Sequence, residues 1–207
     1  MSHLLVRILV YSVSVLLPSF AVARSASDPE TLTIFVKGDS PALESARLEV
    51  DRLMIPAGYA IEWKNLQERK AGEDYSRLVI VELRGNCVAP VGDTVRSSAG
   101  ARSLASTSIV DGRVLPFSAV ECDSLRNVLS RAQVGNQLFG RAMGRVIAHE
   151  LYHMLTEKTT HADSGVSKAC FSISDLLVDR FEFDDRTLAH LQPQPQKTAG
   201  LLARPVF

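Results

Sequence analysis

His149, Glu150 and His153 stand at H-E-x-x-H spacing in the run His149-Glu150-Leu151-Tyr152-His153. On an α-helix, residues i and i+4 lie one above the other, so this spacing lets two imidazoles grip one metal ion. Glu150 then sits about 100° round the helix, beside the ion rather than on it. There a carboxylate can take a proton from water and return it to a leaving amine. The pattern implies a zinc-dependent hydrolase of peptide bonds, with one catalytic Zn²⁺ held by His149 and His153 and with Glu150 as the catalytic residue. The competing reading is a buried histidine pair in a partly apolar helix, because Ala148 and Leu151 flank the motif.

A hydrolytic zinc site needs a third protein ligand and a fourth position open to water. His161 is the leading candidate. On an unbroken helix it would lie about 18 Å along the axis from His149 and about 120° off its face. It reaches the metal only if the helix ends after His153 and the chain folds back. Thr156, Thr159 and Thr160 are weak helix formers, and Asp163-Ser164-Gly165 supplies a turn, so the sequence permits that return. Glu182, on a later helical segment, and Asp163, at the turn, compete with His161 for the third place.

The elements that must position these groups follow from periodicity. Thr31–Val36, Tyr59–Trp63 and Ser76–Leu83 read as strands, the last with a nearly continuous apolar run suited to a buried central strand. Ser40-Pro41 opens a helix that runs through Met54 and is ended by Pro56 and Gly58. Leu104–Val110 and Arg113–Val120 form a strand pair at the sheet edge, joined at Asp111-Gly112. A helix capped at Asp123 or Ser124 runs through Ala132, and the motif helix starts near Gln137. Gly140 and Gly144 lower its propensity and would allow close packing against the sheet. A short helix capped at Ser174 falls within Phe171–Phe183. This order predicts a mixed α+β fold, a sheet with helices on its faces.

Composition bounds the rest. At 207 residues the chain is one domain plus ends, and 23 basic against 23 acidic residues give no electrostatic case for nucleic acid. Met1–Arg7, the apolar stretch Ile8–Phe20 and Ala21-Val22-Ala23 together read as a signal peptide over residues 1–23. Its apolar segment is short for a bilayer span, so no stable membrane insertion is expected after cleavage, and a retained anchor is the alternative. The chain is therefore expected to be secreted or periplasmic. In such an oxidising compartment Cys87 and Cys122, both at element boundaries, are expected to form a disulfide, leaving Cys170 as a buried thiol. The folded domain is expected over 30–183, with a poorly ordered tail over 184–207.

The run His149 to Leu155 with the later His161 resembles the zincin metallopeptidases, particularly the metzincins, whose pattern is H-E-x-x-H-x-x-G-x-x-H. The resemblance implies a twisted mixed sheet with an antiparallel edge strand over the cleft, packed on the active-site helix and a second long helix. It also implies His149, His153 and His161 as zinc ligands, Glu150 as general base, and a peptide or protein substrate. Three features depart from the family. Thr156 stands where the family has its glycine, and Thr159 where it has its third histidine. No methionine follows Met154, so Ala169 or Cys170 takes the place of the family's methionine turn. The alternatives are an exported metal-binding domain without turnover, or a zinc amidase acting on a cell-wall amide.

Overall fold

Two β-branched segments form the centre of the molecule. Strand β1 (Glu30–Lys37) pairs in parallel with β2 (Tyr59–Asn65) on one side and with β3 (Leu78–Arg84) on the other. Strand β5 (Arg113–Glu121) continues the parallel set beside β3, and β4 (Ala105–Val110) closes the sheet antiparallel to β5, giving the order β2-β1-β3-β5-β4. The computed structural model describes residues 28–90 and 103–193. The leader predicted over 1–23 and the tail beyond residue 193 lie outside them.

The class is mixed α+β, as the order of elements predicts. The predicted edge pair is present, and Asp111 and Gly112 turn it with φ of 50° and 74°. Both angles lie in the left-handed region that two-residue hairpins use. The most enclosed strand is β1 rather than β3. Leu32, Ile34, Phe35 and Val36 are all buried, whereas in β3 only the alternate residues Val79, Val81 and Leu83 are.

Those alternate positions mark the covered face. Leu32, Ile34, Val36, Val79, Val81 and Val120 share one apolar cluster with the helices α1 (Leu43–Met54) and α3 (Asn136–Thr156). Phe35 faces the other way, edge-on to Tyr75 with ring centroids 5.4 Å apart. The N-cap of α1 is Ala42, so the helix starts later than Ser40-Pro41 suggested, and Ser40 lies two residues before the cap. Its hydroxyl accepts from the Ala42 N–H at 3.1 Å and donates to the Cys87 carbonyl at 2.5 Å.

The two glycines of α3 pack against α1, not against the sheet as their spacing suggested. A Cβ on Gly140 would stand 2.4 Å from the Ala42 carbonyl oxygen, and one on Gly144 would stand 2.6 Å from that of Ala46. Hydrophobic periodicity marks which face of a helix is buried, but not whether a strand or a second helix covers it. Helix α2 (Cys122–Leu129) has its N-cap at Glu121, two residues before Asp123 and three before Ser124, and a 3-10 turn carries it on through Ala132. The disulfide Cys87–Cys122 is present and ties the loop after β3 to the start of α2, with Cα atoms 5.0 Å apart.

Two C-terminal expectations are corrected. The helix predicted within Phe171–Phe183 is only α4 (Ile173–Leu177), capped by Ser172 and Asp175 in a capping box rather than by Ser174. The tail expected to be loose from residue 184 begins with α5 (Asp185–Leu191), whose Thr187 and Leu191 are buried. Asp184 caps it by accepting from the Thr187 N–H at 2.7 Å. Among the described residues, no helix is long and apolar enough to cross a membrane.

Candidate metal centre

Helix α3 carries His149 and His153 on one ridge, and both are largely buried at 9% and 8% exposure. Each ring is oriented by a backbone carbonyl. His149 Nδ1 lies 2.8 Å from the Val166 oxygen, and His153 Nδ1 lies 2.7 Å from the Lys158 oxygen. A carbonyl only accepts, so both Nδ1 atoms carry a proton, which leaves Nε2 of each ring as the atom with which it can bind a metal. The two Nε2 atoms converge to 3.1 Å. A tetrahedral ion with nitrogen ligands at about 2.0–2.1 Å would hold them about 3.4 Å apart, so the pair is set for a shared cation.

His161 completes the cluster. One ligand atom from each of His149, His153 and His161 lies within 4.8 Å of the others. The expected return of the chain is built one residue later than the family pattern would have it. Helix α3 ends at Thr156, and Glu157 turns the backbone with φ of 54°. The three imidazoles can therefore hold a metal ion.

The competing acids are elsewhere. Glu182 is an exposed residue paired with Arg52 at 3.1 Å, and the segment that carries it is not helical. Asp163 is exposed and stands outside the ligand group. Ala169 and Cys170 line the same cleft as the histidines. Both are exposed, which corrects the expectation that Cys170 is a buried thiol. The ring that rests against His149 is that of Phe171, edge-on at 5.4 Å between centroids.

Glu150 is buried and lies outside the ligand set, as a residue about 100° round the helix should. Thr107 of β4 donates its hydroxyl to Glu150 Oε2 at 2.5 Å, so the edge strand holds the carboxylate. Burial raises the Glu150 pKa above the usual carboxylate range, and the Thr107 hydrogen bond offsets part of that rise. The same burial acts oppositely on the imidazole next to it. His149 is pushed down to about 4, chiefly by desolvation, against the opposing effect of the Val166 carbonyl. His161 is lowered too, by burial and then by His153. Neutral imidazole is the ligand form, so these shifts keep the site ready for a cation.

A cleft of about 750 Å³ opens over the cluster and is lined by β4 residues Ser106, Thr107 and Ile109 and by Phe171. Beneath it, Arg145 lies one turn before His149 on the same helical ridge and is fully buried. It donates to Glu49 at 2.7 Å and to the carbonyls of Asp175 and Val178, each at 2.6 Å. These bonds clamp α4 and its C-cap residue Val178 against α3. Thr107 and Phe171 carried no local signal because they meet the site from other segments, and Arg145, though on the same helix, carried none because its partners Glu49, Asp175 and Val178 lie on other segments. No protein-family model matches the chain, and no curated protein matches it.

Proposed function

We propose that this protein is an exported zinc-dependent metallopeptidase of the zincin type, hydrolysing peptide bonds. One arrangement carries the reading. Three imidazoles converge in a cleft beside a buried carboxylate that is not among the ligands and is held by the antiparallel edge strand. Three nitrogen donors favour zinc over calcium or magnesium, which take oxygen ligands. A zinc ion bound there supplies a Lewis acid that brings the pKa of water down to about 7 and polarises an amide carbonyl.

The chain's own residues do the remainder. Glu150 takes the proton of the attacking water on its carboxylate and delivers it to the departing amine, a task suited to a carboxyl whose pKa burial has raised. Strand β4 ends the sheet, so its outer edge is free among the described residues to pair with an extended peptide. The Cys87–Cys122 bridge supports an oxidising compartment, in agreement with the predicted leader.

Glu150→Gln tests the reading. The variant is expected to bind zinc as the wild type does and to lose about 10²–10⁴-fold in turnover of a fluorogenic peptide library. Turnover equal to wild type would remove Glu150 from the mechanism. Zinc binding by a wild-type chain that cleaves no peptide would instead leave a metal-binding module.

A further inference from the structure

The third ligand has the weakest visible support of the three. His161 sits on an exposed segment, residues 157–161, that contains no glycine to fix a tight turn. Among the described residues its ring nitrogens have no hydrogen-bond partner, whereas His149 and His153 each have a carbonyl at Nδ1. Yet its ring stands 5.2 Å from that of His149 and 4.8 Å from that of His153. Something other than its own ring must hold it there.

Tyr152 meets that need. On helix α3 it projects about 60° to one side of His149, while Glu150 projects about 100° to the other. One flank of the histidine ridge thus faces β4, and the opposite flank faces the returning chain. The Tyr152 side chain is buried, and its ring lies 5.2 Å from that of His153. Its hydroxyl donates to the Thr160 carbonyl at 3.1 Å. That carbonyl belongs to the peptide unit that enters His161, so the bond fixes the plane from which the third ligand departs. Beyond His161 the chain is held again, by the Ala162 N–H donating to the Ser167 carbonyl at 3.0 Å. The ligand is thereby pinned on both sides.

We propose that Tyr152 is the positioning residue for the third metal ligand: its hydroxyl, through Thr160, sets His161 against the other two imidazoles. This rests on the three-histidine metal site and does not require peptidase activity. It assigns a task to a variable position within the H-E-x-x-H motif, where the chain lacks the motif's glycine turn.

The test uses Zn²⁺ alone, competed against a chromophoric chelator, on the wild-type chain, Tyr152→Phe, His161→Ala and the double variant. Tyr152→Phe is expected to weaken zinc about tenfold, within the 10–100-fold typical of residues that orient metal ligands. In the His161→Ala background it is expected to change nothing further. With Co²⁺ in place of zinc, the visible absorption of Tyr152→Phe should move toward that of His161→Ala. Unchanged affinity in Tyr152→Phe, or an equal loss in both backgrounds, would overturn the assignment, the second outcome marking a general effect on the fold. A wild-type chain that takes up no zinc would overturn the metal site and the role of Tyr152 together, whereas the first two outcomes leave the metal site standing.

Discussion

Glu150 and His149 are neighbours in the chain that burial pushes toward opposite ends of the pH scale, and in both cases toward the neutral form. The imidazole gains by it, because only the neutral ring binds metal. The carboxyl gains proton affinity, and the Thr107 hydroxyl limits how far that rise goes. Thr107→Val keeps the shape of the side chain and removes the hydroxyl. If Glu150 is the base, this variant should lower kcat by about tenfold with KM unchanged, since a hydrogen bond to a charged group is worth about 1.5–3 kcal/mol. Thr107→Ser should recover most of the loss. Steady-state kinetics on one peptide decides it, and a change confined to KM would place Thr107 in substrate binding instead. At this scale the sequence was most legible where spacing alone carries the geometry. His149, Glu150 and His153 are fixed relative to one another by a single helix. That His161 returns to the pair was legible, but the turn that brings it back is Glu157, after a helix that runs through Thr156, and not Asp163-Ser164-Gly165; Thr107 belongs to a strand 43 residues away. Such a contact depends on sheet register, which no local pattern records.

The elements place the motif helix between a partner helix and the edge strand. Gly140 and Gly144 allow α1 to approach the backbone of α3, and Arg145 locks the segment after α4 onto the same helix. Gly144→Ala would add a Cβ 2.6 Å from the Ala46 oxygen. Alanine has the higher helix propensity by about 1 kcal/mol, so a substitution judged on propensity alone should stabilise. The close approach reverses the sign, and a net loss of about 1–3 kcal/mol is expected from overpacking. Urea unfolding followed by circular dichroism measures it, and an increase in midpoint would contradict the packing described. The strands along the chain and the hairpin at Asp111-Gly112 were legible because alternation and turn chemistry are local, whereas the order β2-β1-β3-β5-β4 was not. The partner of the glycines was not, and neither was the exposure of Cys170. The apolar neighbours Ala169 and Phe171 suggested a buried thiol, but of these three residues Phe171 alone turns inward.

For the molecule as a whole, the site sets a cost in acid. An unfolded chain protonates His149 at an ordinary pKa of 6.5, whereas the folded metal-free chain resists until about 4. The unfolded state therefore binds the extra proton first. The stability contributed by neutral His149 is complete above pH 6.5 and is lost progressively as pH falls through 4, by up to about 3 kcal/mol. The stability difference between the metal-stripped protein and its His149→Gln variant isolates this effect from the opposite one of Glu150, and a difference that stays flat from pH 7 to 4 would contradict it. The boundary of the folded unit was only partly legible. Asp184-Asp185 with Thr187 spells a helix cap, whereas the glutamine- and proline-rich run that follows has the composition of a loose tail.

Titrating zinc into the chelator-stripped protein, while following bound metal and cleavage of a peptide library together, tests whether one bound zinc ion makes this chain a peptidase. Activity should be absent at the start, rise in step with bound zinc, and reach its limit at one ion per chain. Cleavage that survives stripping, or that does not follow the binding of a single ion, would contradict it.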